Sequence, residues 1–114
     1  MTSQKKKFHD YVRFEFSRIM KTGTDHIAIS LRELKSDSLT LGRSNYKDSV
    51  CLMNLDLREG RTLLQKRNLV KSFMDGVDSI FGIKKKNQYI TFTSHSGKDF
   101  NLIETSLKDW VKND

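Results

Sequence analysis

Arg58 and Arg61 stand either side of Glu59-Gly60, in the run Leu57-Arg-Glu-Gly-Arg-Thr62. Two guanidinium groups within four residues, brought round by a glycine, can fork onto the two oxygens of one carboxylate. The neighbouring residues indicate where in the fold they sit. Thr62 and Gln65 make a T-x-x-Q capping box, so a helix starts directly after Arg61. Leu63, Val70, Phe73/Met74, Val77 and Ile80/Phe81 recur at helical spacing, and Gly82 is placed to stop the helix. Ahead of the arginines, Asp48–Leu57 reads as a strand. Its continuous apolar stretch Val50–Met53 predicts burial on both faces. The arginines thus occupy the handover from a strand to a helix N-terminus, a location that favours small anions. Their other reading is a solvated turn that helps cap a helix and contacts neighbouring subunits.

Other reactive residues are sparse. The single cysteine, Cys51, lies in the apolar stretch and reads as a core residue in a reducing compartment. His9, His26 and His95 have no metal-ligand spacing with one another or with Cys51, so neither a metal nor another cofactor is expected. There is no proline in the 114 residues. His95 and Glu104 are the remaining acid or base candidates.

The elements can be read from periodicity. Residues 1–7 read as a frayed basic tail. In residues 8–21, Phe8, Tyr11/Val12, Phe16 and Ile19/Met20 share a helical face, while Val12, Phe14 and Phe16 also alternate as a strand would. Helix is preferred because Thr22-Gly23 supplies a stop, and a strand over Tyr11–Phe16 hairpinned to the next segment is the alternative. His26–Leu34 alternates through Ile27, Ile29 and Leu31 and reads as a strand. Residues 35–48 form a loop, Lys84–Asn87 a connection, and Gln88–Thr93 a further strand. In the tail, Ile103, Leu107, Trp110 and Val111 predict a short amphipathic helix. The whole is one domain (1–114), with an incomplete first unit (8–34), a complete β-α-β unit (48–93) implying a parallel pair, and a C-terminal tail (94–114). Helix-then-strand in the first half parallels the second half without its leading strand. The architecture is therefore α/β, in two layers of duplicated β-α-β units, with the first strand missing or displaced.

Composition bounds the partners. The net charge of +7 includes the runs Lys5–Lys7 and Lys84–Lys86, but no aromatic residues interleave with them as a nucleic-acid platform requires, so nucleic acid is not expected. No apolar run approaches the roughly 18–20 residues of a membrane span, and MTSQKKKF lacks the apolar stretch of a secretory signal. A cytoplasmic location is the expectation.

The ordered set of a helix ending in Thr22-Gly-Thr24, a strand like HIAISLRE, a Gly-containing loop, REGRT, a helix and a strand resembles the tautomerase superfamily. That superfamily includes oxalocrotonate tautomerase and macrophage migration inhibitory factor, and the similarity is greatest to its cis-chloroacrylic acid dehalogenase group. It spans about Tyr11–Phe92. The resemblance implies an oligomer, usually a trimer with sheets facing inward and sites near subunit interfaces. It also implies proton transfer on a small carboxylate substrate by an N-terminal proline, with arginines binding the carboxylate. Arg58 and Arg61 match those arginines. Thr2 comes after Met1 where the family's strand and proline would lead, Arg18 stands for a first-helix histidine, and Thr91 for a last-strand tyrosine. The catalytic group is thus unassigned. The implied function is keto-enol tautomerisation, or related hydration or dehalogenation. The alternative is a catalytically inactive homologue serving as an oligomeric subunit or binding module. For the leading strand, three readings stand: a truncated start, a strand from another chain, or Tyr11–Phe16 itself.

Overall fold

The computed structural model describes residues 2–35, 37–101 and 103, and its elements are two helices and two strands. Helix α1 spans Thr2–Met20, strand β1 Cys51–Arg58, helix α2 Leu63–Phe81 and strand β2 Gln88–His95. Single 3₁₀ turns at Lys85–Asn87 and Gly97–Asp99 flank β2. β1 and β2 pair in parallel, with Cys51 opposite Gln88 and Arg58 opposite His95. The β-α-β unit of the second half is therefore present as expected.

α1 settles the ambiguity at residues 8–21 in favour of helix, and Tyr11–Phe16 is not a strand. The helix also absorbs most of the stretch expected as a frayed tail, starting at Thr2. Two contacts hold that first turn: Gln4 Nε2 donates to the Ile80 carbonyl at 3.1 Å, and Lys5 pairs with Glu33 at 3.2 Å. α1 ends at Met20, where Lys21 takes a left-handed conformation (φ 53°) and Ser17 Oγ donates to the Thr22 carbonyl. The two helices pack antiparallel, since Gln4 meets Ile80, Tyr11 meets Ser72 and Gln65 reaches Ile19.

In α2, Thr62 Oγ1 accepts from Gln65 N–H at 3.0 Å while Gln65 Oε1 accepts from Thr62 N–H at 2.9 Å, the full capping box. Gly82 closes the helix in the left-handed region (φ 73°), its N–H donating to the Asp78 carbonyl. The buried stripe of α2 differs from the expected one. It runs through Leu69, Ser72, Phe73, Gly76 and Val77, whereas Leu63 is 77% exposed. In the first turn of α2 both apolar residues, Leu63 and Leu64, are exposed, and full burial begins at Leu69. Gly76 is required: a Cβ there would collide with the Tyr11 ring, which lies across α2. Phe8, Val12, Ile19 and Met20 of α1 meet Leu69, Phe73 and Val77 of α2 over Leu57, and these residues form one buried core.

Two strand expectations change. β1 is not buried on both faces; it alternates, with Leu52 53% exposed and Cys51, Met53 and Leu55 turned toward the helices. Helices cover one face of the sheet; on the other, Leu52 and Tyr89 stay more than half exposed. The His26–Leu34 stretch alternates in burial, with Ile29 and Leu31 packing on the core and Leu34 59% exposed, yet it makes no β-ladder. Its alternation places side chains correctly, but a strand is defined by a hydrogen-bonded neighbour, and none lies alongside among the described residues.

The 35–48 loop is tied to the start of β2. Ser44 Oγ donates to Asn87 Oδ1 at 2.6 Å, and Asn87 Nδ2 donates to Asp48 at 3.3 Å. Buried Gln88 donates to the carbonyls of Met74 and Ile83, both at 3.0 Å, locking β2 under the end of α2. Of the expected amphipathic tail, Ile103 is fully exposed; Leu107, Trp110 and Val111 lie outside the described residues.

Candidate functional site

The parallel pair collects its polar side chains at its carboxyl end, which is where open α/β sheets place their ligands. Arg58 is the last residue of β1. The Glu59 N–H then donates to the His95 carbonyl at 2.7 Å, extending the register by one bond. Gly60 turns the chain at φ 106°, a region that costs an L side chain strain, and Arg61 and Thr62 lead into α2. Glycine is thus what lets the two arginines lie on one short turn at a helix N-terminus.

Arg61 is half-buried, and one of its contacts is structural: Nη1 donates to the Met20 carbonyl at 3.2 Å. A guanidinium at the C-terminal end of α1 also opposes the negative end of that helix dipole. Gln65 Nε2 reaches the neighbouring Ile19 carbonyl at 3.5 Å. Burial, and then the charge of Arg58, push the Arg61 pKa down from its ordinary value. The Arg58 effect puts the two cations within electrostatic reach of each other. An arginine remains protonated under such a shift, so the pair presents concentrated positive charge at the dipole-positive end of α2, where an anion is favoured.

His95, at the end of β2, lies on the same sheet face as Asp56 and Arg58. Its Nε2 meets Asp56 Oδ1 at 2.9 Å, and its ring packs edge-on against Phe100 with centroids 5.1 Å apart. A carboxylate at Nε2 favours the tautomer with its proton there and leaves Nδ1 as the acceptor. The sequence offered no sign of this pairing, because Asp56 and His95 are brought together only by the parallel register. Glu104 lies outside the described residues.

Arg18 and Thr91 are committed elsewhere. Arg18 forks onto Glu15, with Nε to Oε2 at 3.0 Å and Nη2 to Oε1 at 2.8 Å. Glu15 also accepts from Ser72 Oγ at 2.6 Å, and Tyr11 Oη donates to the Ser72 carbonyl at 2.7 Å. This network lines an open groove of about 510 Å³ between the outer faces of α1 and α2. Its polar groups satisfy one another, so it reads as a helix clamp. The Arg18 bond, set against a burial cost, holds the Glu15 carboxyl below its usual range. Thr91 donates to Asn54 Oδ1 at 2.9 Å on the uncovered sheet face, where Thr93 donates to the same oxygen at 3.2 Å. Cys51 is half-buried and burial alone raises its pKa, which makes it an unreactive thiol. Among the described residues no cluster of His, Cys, Asp and Glu could hold a metal, and no helix is long and apolar enough to cross a membrane.

This arrangement of elements recurs in solved structures. A native fused 4-OT superposes with a TM-score of 0.80 over 96% of this chain and 90% of its own, at 16% identity. The chain has the tautomerase fold. N1, a member of the cis-3-chloroacrylic acid dehalogenase family, also gives a TM-score of 0.80, over 94% of this chain and 75% of its own, at 14% identity. A malonate semialdehyde decarboxylase gives 0.74 over 90% and 80%, at 14% identity. No family model matches the sequence, and no curated protein matches it. The tautomerase fold is thus conveyed here by architecture with little sequence in common, and among its solved examples are fused 4-OT trimers.

Proposed function

We propose that this protein binds a small carboxylate and transfers a proton on it, as a keto-enol tautomerase. The observation that carries the reading is Arg58 and Arg61 on one glycine turn at the α2 N-terminus, at the carboxyl end of a parallel pair within a tautomerase fold. In the proposal the arginines grip the carboxylate. His95, oriented by Asp56, is the proton acceptor: its Nδ1 takes a proton from the carbon next to the keto group, the C–H pair forms the enol double bond, and the carbonyl oxygen receives the displaced pair and then a proton. No step needs a cofactor. Oligomerisation belongs to the same reading. Leu52 and Tyr89 are 53% and 55% exposed on the uncovered sheet face, and fused 4-OT structures of this fold are described as trimers, so a trimer of this chain would bury that face. A cytoplasmic site of action is inferred from the unreactive single cysteine.

The test is ketonisation of phenylenolpyruvate by the purified protein. Arg58→Ala is expected to lower kcat/KM by about 10- to 100-fold, the scale of one lost charged hydrogen bond. His95→Asn should depress kcat while leaving KM near that of the parent protein. Turnover no faster than buffer, or turnover indifferent to Arg58→Ala, overturns the catalytic reading. A second reading has its own support. The sequence has no proline, and Arg61 is engaged at the end of α1, which suits a non-catalytic subunit or binding module that keeps the arginines for structure. An intact trimer with no turnover would favour it.

A further inference from the structure

We infer that the carboxylate taken by Arg58 and Arg61 carries an unbranched aliphatic tail, and that Leu63 and Leu64 are the shelf on which the tail lies. This narrows the substrate class of the proposed carboxylate site and rests on that reading.

The two leucines stand where a helix would gain from acid. They are the first and second residues of α2, whose first turn holds no acidic residue. Aspartate or glutamate there would offset the positive end of the helix dipole. Instead, Leu63 is 77% and Leu64 69% exposed. From Leu57 to Val70 the chain carries Arg58, Arg61, Lys66 and Arg67 against a single acidic residue, Glu59. The helix end is thus cationic and apolar at once. A carboxylate with a hydrocarbon tail has the complementary pair of properties.

Among the described residues the leucines serve neither the cap nor the core. Thr62 and Gln65, on either side of them, make the capping box. Gln65 and Ser72 are the residues that reach α1, and full burial begins at Leu69. Lys66 lies over the Phe92 ring, 5.8 Å from its centroid, so the inner face of the sheet is met here by lysine and not by leucine. Single exposed apolar residues are ordinary on a protein surface. These two are consecutive and adjoin the arginine turn.

Direction brings them to the site. Helical side chains lean toward the N-terminus, so the surface that Leu63 and Leu64 cover lies over the turn of residues 58–62. The capping box and Gly60, at φ 106°, fix that turn relative to the helix. A tail leaving the arginines crosses the leucines on the outside of α2. Arg67 and Asn68 are exposed one turn further on and end the apolar surface. The shelf therefore suits a tail of medium length, such as that of octanoate.

The test is titration calorimetry of the 114-residue protein with acetate, butanoate and octanoate, none of which can undergo keto-enol turnover. Each methylene laid on leucine is expected to tighten binding about twofold, less than full burial would give, so octanoate should bind about tenfold or more tightly than acetate. Leu63→Gln with Leu64→Gln should bring the octanoate-to-acetate ratio close to one, while Arg58→Ala should weaken all three ligands alike. Affinity independent of chain length, or a ratio that survives in the double variant, overturns the inference and leaves the carboxylate site standing. Indifference of every ligand to Arg58→Ala removes the site itself. Octanedioate binding more tightly than octanoate would give the far end of the ligand to Arg67, and would overturn the shelf. So would a changed sedimentation coefficient in the double variant, which would assign the leucines to a subunit contact. Binding to vesicles of anionic lipid with none to octanoate would make a membrane surface the occupant, again overturning it.

Discussion

The two halves of this chain use the same materials and reach different degrees of closure. In the second half, α2 is bracketed by β1 and β2, whose eight-residue register is complete, and a capping box and a left-handed glycine define the helix ends. In the first half, α1 is just as long and contributes as much to the core, yet the extended segment after it has no hydrogen-bonded neighbour among the described residues. Apolar patterning and backbone pairing are therefore separable. Side-chain burial can hold a segment against the core, while only an adjacent edge makes it a strand.

The sharpest test of that difference compares inward residues of equal character in the two halves. Phe73→Ala should destabilise by about 3–5 kcal/mol in urea unfolding, because its side chain is 2% exposed and the surrounding core cannot collapse onto the space. Ile29→Ala should cost well under half as much, because Ile29 is only partly buried against the core. Equal costs would mean that the first half is as closed as the second. Next in size is Gly76→Ala. The new methyl would meet the Tyr11 ring where the helices touch, and a loss of roughly 1–3 kcal/mol is expected from overpacking. Tyr11→Ala should make the same substitution harmless, which tests whether α1 is held to α2 at that point.

The smallest effect is electrostatic. Glu15 is held below its ordinary pKa of 4.5 chiefly by Arg18, with Ser72 adding a hydrogen bond. A depressed folded value means that the network stabilises the protein above pH 4.5, and that this contribution fades as pH falls through the lower folded value. Glu15→Gln should flatten that part of the acid limb in a stability-versus-pH series. An acid limb identical in the two proteins would show that the clamp between the halves carries no net stabilisation.

Much of this was legible because it is local. The capping box, the Gly82 stop and the glycine turn that carries Arg58 and Arg61 depend on residues a few positions apart, and the β-α-β unit follows from the order strand, helix, strand. The buried stripe of α2 was displaced toward Leu69 because periodicity gives a spacing without saying where the opposing layer begins. The exposed face of β1 was missed for a related reason: an apolar run such as Val50–Met53 does not say how many layers will cover it. The basic start looked like a tail because Lys5–Lys7 obscures a helix whose apolar face only begins at Phe8, and the contacts that fix its first turn come from Ile80 and Glu33.

The sequence by itself determined the second unit, the single core it shares with α1, and the placing of two arginines at a helix N-terminus. Each of these depends on neighbours in the chain and on a hydrophobic period. Tertiary structure alone decided that Arg61 meets the end of α1, that Asp56 meets His95, and that residues 27–32 pack on the core without a ladder. Those outcomes depend on which distant backbone edges and side chains come within hydrogen-bonding distance, and no local pattern encodes that distance.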